Sequence, residues 1–142
     1  MTQRRLLVMA MLIALTGPAY AADEAMTVLQ DFGSKWQTAY NNGEPGKVAD
    51  LYAQDAVFSS GVLGNLRGKS EIEKAVANQM KLTAKITVTP MEAHKNGNIV
   101  WGFGDFTFTN GPSGHYGLTC VNESGSWHIA MHLSNATPPK KQ

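Results

Sequence analysis

The chain has 142 residues, a formal net charge of +1 and a single cysteine. The charge is near neutral and the sequence has no extended basic tract, which argues against nucleic acid as a partner, because phosphate binding needs clustered cations. Cys120 cannot form an internal disulfide, so the fold must rest on its apolar core, and we expect Cys120 to be a small buried side chain on a strand.

The N-terminal segment has the pattern of a secretory signal peptide. Two arginines precede a short apolar run, Leu6–Leu15, and "AYA" supplies a small-x-small cleavage site that ends at Ala21. The apolar run is too short to span a bilayer, which takes about 20 residues. We therefore predict a signal peptide over residues 1–21 and one domain over residues 22–142, periplasmic or secreted and not attached to a membrane after cleavage.

A long first helix is predicted after the signal segment. Leu29, Phe32, Trp36 and Tyr40 recur at spacings of three and four, which places them on one helix face. Asp23 is a candidate N-cap, and the "NNG" tripeptide that follows Tyr40 predicts the end of the helix.

Two further helices are predicted on either side of a short strand. Pro45 can open a short second helix. The segment "AVFSS", residues 56–60, predicts a strand, and residues 61–68 are expected to form a loop because they contain three glycines. Ser70 and Glu73 form a capping-box pattern that predicts the start of a third helix.

The second half of the chain predicts four antiparallel strands. From Lys85 onward the sequence is β-branched and alternating, and "NG" at 96–97, "NGPSG" at 110–114 and "SG" at 124–125 predict the turns. A bulge is expected near Pro90, since proline cannot donate to a strand ladder. Helices grouped first and strands grouped last predict an α+β fold, with the helices covering one face of the sheet.

Three histidines lie on the last predicted hairpin. A regular register through its Ser-Gly turn sets Leu118 opposite Met131 on the core face and places His115, His128 and His132 on the other face. His128 and His132 would be roughly 13 Å apart along the strand, too far to share a metal ion. We therefore predict neither a metal nor another cofactor.

Three stretches of the mature chain resemble the nuclear-transport-factor-2-like superfamily, in particular its SnoaL-like domains. They are "NNGEPGKVADLYAQDAVF" after the first helix, "LRGKSEIEKAV" at the third helix, and the closing "WHIAMHLSNATPP". The resemblance implies a cone in which three N-terminal helices pack in the concave face of a curved, mostly antiparallel sheet. It also implies a pocket at the wide end and a homodimer formed through the sheet.

The resemblance does not fix a function, because this superfamily includes isomerases, dehydratases, polyketide cyclases and kinase association domains. Aligned with the steroid isomerases, the position of the catalytic base holds Ser60, and the positions of the two oxyanion-hole residues hold Trp36 and Gly117. Ser60 cannot abstract a proton from carbon at neutral pH, and neither the tyrosine nor the acid of the oxyanion hole is present at its position, so steroid-isomerase activity is disfavoured. The histidine and aspartate arrangement of the cyclases and dehydratases is disfavoured as well, because the sheet histidines are predicted to point away from the pocket.

Aromatic side chains are the best candidates for the wall of a pocket, since small-molecule sites are mostly apolar with few polar groups. Asp55 and Arg67 are expected at the surface, although Arg67 could also meet an anionic ligand. The predicted ligand-binding residues are Trp36, Tyr40, Tyr52, Phe58, Phe108 and Tyr116.

Two functional hypotheses follow. The first is an exported small-molecule-binding or structural module with an apolar pocket, dimeric, whose ligand the sequence does not identify. The second is a cofactor-free isomerase, dehydratase or hydrolase acting on a small hydrophobic molecule. Asp105 discriminates between them: facing solvent or a dimer contact it favours the first, and turned into the pocket as an acid it favours the second.

The histidine-bearing sheet face is the expected dimer surface. His115, His128 and His132 lie there beside the small Gly117 and Thr119, which would let a second sheet approach closely. Protonation would bring like charges together in a partly dry contact. The dimer is therefore expected to weaken as the pH falls below about 6.5.

Overall fold

The computed structural model describes residues 18–137 of the chain. Its elements are α1 (Pro18–Asn41), α2 (Pro45–Ala49), β1 (Tyr52–Ser60), β2 (Gly64–Arg67), α3 (Gly68–Leu82), β3 (Ile86–Asn96), β4 (Ile99–Phe108), β5 (Ser113–Glu123) and β6 (Ser126–Ala136). The strands form one six-stranded sheet in the order β2-β1-β6-β5-β4-β3, in which only the β1–β6 pair is parallel.

The predicted α+β class is confirmed. α1 packs along β3 and β4, and α3 packs along β1 and β2, so the helices cover one side of the sheet, called here the inner face. Residues 1–17 of the predicted signal peptide lie outside the described part of the chain, and its cleavage stays a prediction. No helix within the described part of the chain is long and apolar enough to cross a membrane.

The first helix buries the face that its spacing predicts. Leu29, Phe32, Trp36 and Tyr40 are all buried. The predicted N-cap is wrong: α1 begins at Pro18, so Asp23 lies inside the helix. The predicted end is confirmed, because the chain after Asn41 turns at a glycine with a φ of 72°.

The segment predicted as a loop, residues 61–68, contains strand β2. Its glycines fall where the chain must turn: Gly64 and Gly68 have φ values of 78° and 74° and open β2 and α3. The residues between them are free to pair with β1. The Ser70 capping box is also wrong, since α3 begins at Gly68 and Glu71 accepts the hydrogen bond of the Arg67 backbone N–H at 2.8 Å.

The bulge predicted near Pro90 is confirmed. The β3–β4 register shifts between Pro90 and Glu92, leaving Met91 unpaired, and this shift keeps the apolar side chains at both ends of β3 on the inner face. The turn lies one residue later than predicted. Asn96 pairs with Ile99, and Gly97, with a φ of 57°, is the first of the two turn residues.

The register predicted for the last hairpin is correct only near its turn. Cys120 pairs with Ile129 as expected, but a bulge follows, and Leu118 then faces His132 instead of Met131. Met131 consequently points to the outer face of the sheet and is 44% exposed, whereas His132 points inward and is 7% exposed. The prediction that all three histidines lie on the non-core face is therefore wrong for His132.

Candidate functional site

A cavity of about 420 Å³ lies between the helices and the inner face of the sheet. Its walls are largely apolar, with a few neutral polar groups such as Ser60, Gln79 and Ser134. Val62 and Leu82 line it while being 68% and 85% exposed, so they mark its opening to solvent. The described lining residues include no Asp, Glu, Lys or Arg.

Four of the six predicted ligand-binding residues line this cavity. They are Trp36, Phe58, Phe108 and Tyr116. Their role as ligand contacts stays a prediction.

The other two predicted residues, Tyr40 and Tyr52, are buried behind the cavity wall. Tyr40 stacks on Trp36 with ring centroids 5.1 Å apart and hydrogen-bonds with Thr83, and burial raises its pKa. Tyr52 is completely buried, which raises its pKa strongly. Both support the lining residues and do not themselves face the cavity.

His132 is a buried polar residue of the cavity wall that the sequence analysis placed on the wrong face. Its Nδ1 lies 2.7 Å from the Tyr52 hydroxyl, and the Trp36 indole nitrogen donates to that hydroxyl at 3.1 Å. Phe58 stacks on the imidazole with centroids 4.0 Å apart and planes 3° apart. Burial lowers the pKa of His132 to about 3, so the ring is neutral at physiological pH.

Two of the three catalytic positions suggested by the isomerase alignment line the cavity, and the third lies on the opposite side of the sheet. Trp36 and Ser60 line the cavity, whereas Gly117 pairs with Phe103 on the outer face.

Asp105 lies on the outer face as well. Its carboxylate is 2.7 Å from His115 Nδ1, and both side chains are about half exposed or more. The inward orientation that would favour an enzyme is not observed.

Asp55 and Arg67 are exposed, as expected. Within the described residues, no three His, Cys, Asp or Glu side chains form a group that could hold a metal ion.

The outer face of the sheet carries exposed apolar side chains, called here the outer patch: Trp101, Phe103, Met131 and Leu133, each 42–50% exposed. They form two rows across strands β4, β5 and β6, and in each row the β5 residue is small. One row consists of Phe103, Gly117 and Leu133, and the other consists of Trp101, Thr119 and Met131. Both faces of the sheet are therefore apolar, and only the inner face is covered by helices.

A family profile for the SnoaL-like domain matches residues 34–127, more than half of the chain. The chain belongs to the SnoaL-like domain family. This confirms the resemblance found in the sequence. His132 lies beyond the matched segment, so the family match itself assigns it nothing.

Solved structures share the same nuclear-transport-factor-2-like architecture. A variant of a Mycobacterium tuberculosis protein of unknown function is 15% identical with a TM-score of 0.73, over 89% of this chain and 79% of the other. A Pseudomonas putida protein of the same fold, also of unknown function, is 13% identical with a TM-score of 0.68, over 85% and 92%. At such identities the similarity shows the fold alone.

A protein from Xanthomonas campestris is similar at 25% identity, with a TM-score of 0.67 over 85% of this chain and 91% of the other. It is provisionally named a calcium/calmodulin dependent protein kinase II association domain. No curated protein matches the chain significantly.

Proposed function

We propose that the protein is an exported, dimeric binding module that holds a small apolar molecule in the cavity of its SnoaL-like domain. The observation that carries this proposal is the cavity itself: about 420 Å³, apolar, uncharged and open at one end. Its volume lies in the range of pockets that enclose drug-sized ligands, and pockets of that kind are mostly apolar with a few polar groups.

The alternative is a cofactor-free isomerase, dehydratase or hydrolase. Such an enzyme needs a group in the cavity that exchanges a proton near neutral pH. Two titratable side chains, His132 and Tyr116, are among the described residues that line the cavity. Burial lowers the pKa of His132 and raises the pKa of Tyr116, so both values move away from neutral pH. Asp105 faces the opposite way, so these groups favour binding over catalysis.

Binding is tested with a neutral apolar dye, Nile red, and two variants of one helix. Ala75 lines the cavity on α3, and its neighbour Lys74 is exposed and does not. Ala75→Phe should fill part of the cavity and weaken dye binding about tenfold or more, while Lys74→Phe should leave it unchanged. Equal binding by both variants, or no binding by the natural chain, would contradict the proposed site.

Export rests on the sequence pattern of residues 1–21. The mass of the protein recovered from the periplasm should correspond to a chain that begins near Ala22. A recovered protein that retains Met1 would contradict it.

The proposed dimer uses the outer patch. A contiguous exposed apolar surface of this kind is typical of an interaction site, because leaving it in water is unfavourable. Gly117 and Thr119 are small and lie between the apolar side chains, which leaves room for a second sheet to approach. His132 cannot take part, since it lies on the inner face.

A further inference from the structure

The proton positions around His132 follow from a chain of two hydrogen bonds. The indole N–H of Trp36 can only donate, so the Tyr52 oxygen accepts it. The Tyr52 hydroxyl makes no other hydrogen bond among the described residues, so its own buried hydrogen is paired only when it is directed to His132 Nδ1, 2.7 Å away. A neutral imidazole that accepts at Nδ1 carries its hydrogen on Nε2. This chain therefore fixes one tautomer.

The orientation of the imidazole is fixed as firmly as its tautomer. Phe58 covers one face of the ring at 4.0 Å, and Trp36 and Tyr116 contact it in edge-to-face geometry with centroids 6.3 Å and 6.2 Å away. A ring flip would break the hydrogen bond to Tyr52 and leave a fully buried hydroxyl without an acceptor, which is unfavourable.

Nε2 is the ring nitrogen that the hydrogen bond to Tyr52 leaves unengaged. His132 lines the cavity, and Nδ1 makes the hydrogen bond recorded for this ring among the described residues. Among the described residues, the Tyr116 hydroxyl is the side-chain nitrogen or oxygen that is both fully buried and without a hydrogen-bond partner. Nε2 of His132 does not belong to that class, so we take it to be accessible from the cavity. Its hydrogen is available to a molecule inside the cavity.

We propose that His132 Nε2–H is the hydrogen-bond donor that orients the ligand, and that the ligand is a neutral, otherwise apolar molecule with a carbonyl oxygen. The ligand must be neutral because no Asp, Glu, Lys or Arg of the described residues lines the cavity, and an unpaired charge there would be strongly unfavourable. It must offer an acceptor because Nε2 offers a hydrogen. This inference rests on the proposed binding function and deepens it.

Two probes of nearly the same shape test this: benzophenone, which has a carbonyl, and diphenylmethane, which lacks it. Calorimetric titration of the full chain should show benzophenone binding about tenfold more tightly, the effect of pairing one otherwise unsatisfied buried donor. Infrared spectra should show the carbonyl stretch of bound benzophenone shifted to lower wavenumber. The spectral readout needs no variant and reports the hydrogen bond directly.

Three variants separate donation from shape. His132→Phe keeps an aromatic ring against Phe58 and should abolish both the preference and the spectral shift, while diphenylmethane affinity is retained. His132→Gln places an amide N–H near the Nε2 position and should restore part of both. Tyr52→Phe removes the hydroxyl that donates to His132 Nδ1 and fixes the tautomer. It should weaken the preference for benzophenone without changing diphenylmethane affinity. Tyr52 is thus a positioning residue.

The outcomes distinguish the two proposals. If the natural chain binds both probes equally, or if His132→Phe keeps the spectral shift, the donor role is overturned while the binding function stands. If neither probe binds, the cavity does not accept neutral aromatic ligands, and the donor role fails together with the proposed function.

Discussion

At the scale of single residues, His132 couples burial to charge. Its pKa is lowered to about 3 because burial removes the ring from water and disfavours its charged form. In the unfolded chain the same side chain takes up a proton at about pH 6.5. The unfolded state therefore binds one more proton than the folded state between these two pH values. Stability contributed by this group is full above pH 6.5 and decreases as the pH falls toward 3.

This difference predicts the acid sensitivity of the fold. Between about pH 6.5 and 4.5 the natural chain should lose roughly 2 kcal/mol of unfolding free energy more than His132→Phe does, because one extra proton corresponds to about 1.4 kcal/mol per pH unit. Urea unfolding at several pH values measures it. His128→Phe, a change on the other face of the same strand, is the matched control. Parallel pH curves for the natural chain and His132→Phe would contradict the assignment.

The residues of the site could be predicted only in part from the sequence. The helical spacing of Trp36 and Tyr40 predicts that both are buried, which is confirmed. It cannot predict that Trp36 faces a cavity while Tyr40 packs behind it, because both positions require the same apolar burial. His132 was missed for a different reason, which lies in the strand that carries it.

At the scale of elements, bulges in β3 and β6 help to decide which side chains reach the cavity. The one in β3 is marked by Pro90, whose missing N–H makes it predictable. The one in β6, next to Ala130, has no proline or glycine to mark it. It reverses the sheet face to which the following side chains point, so that His132 lies in the core and Leu133 lies on the outer face. The partner that compensates His132, the hydroxyl of Tyr52, lies 80 residues earlier in the chain and cannot be read from the local pattern.

Strand β4 also shapes the cavity through its inner-face glycines. A Cβ built on Gly104 would lie 2.8 Å from the Tyr116 hydroxyl and from its ring edge, and one on Gly102 would lie 2.8 Å from Leu29 of α1. Both contacts are closer than carbon atoms tolerate. The absence of side chains at these positions is what allows Tyr116 and α1 to lie against the sheet.

Gly104→Ala is therefore expected to displace the Tyr116 ring and to destabilise the fold by about 1–3 kcal/mol, the usual effect of overpacking. Gly61→Ala is the control, because a Cβ at Gly61 would meet nothing within 4 Å. Thermal or urea unfolding of both variants gives the comparison. A Gly104→Ala protein as stable as the control would mean that the strand can relax around the added methyl group.

At the scale of the whole molecule, the two faces of the sheet differ in what covers their apolar side chains. The inner face, covered by α1 and α3, encloses the cavity, and the outer face carries the outer patch in water. The order of helices and strands was sufficient to predict the α+β architecture, since each element must bury one apolar face. It was not sufficient to predict a ligand, because the same cone encloses cavities of different chemistry.

The structure also changes the pH behaviour expected of the proposed dimer. His132 is on the inner face, outside the proposed contact, and His115 Nδ1 lies 2.7 Å from the Asp105 carboxylate, so an opposite charge stands beside His115. His128 alone remains of the three histidines that were expected to weaken the contact in acid. The apolar side chains of the outer patch are therefore the more informative sites for a test of assembly.

A single lysine in the outer patch should separate the proposed dimer. Phe103 is 45% exposed and shares a cross-strand row with Gly117 and Leu133, so Phe103→Lys would place a charge at the centre of the contact. Sedimentation velocity at micromolar concentration should show a dimer for the natural chain and a monomer for this variant. Val62→Lys, an exposed apolar position at the cavity opening, should remain dimeric. A natural chain that sediments as a monomer, or a Phe103→Lys variant that stays dimeric, would mean that this face is not the contact, since an unpaired lysine buried there would cost several kcal/mol.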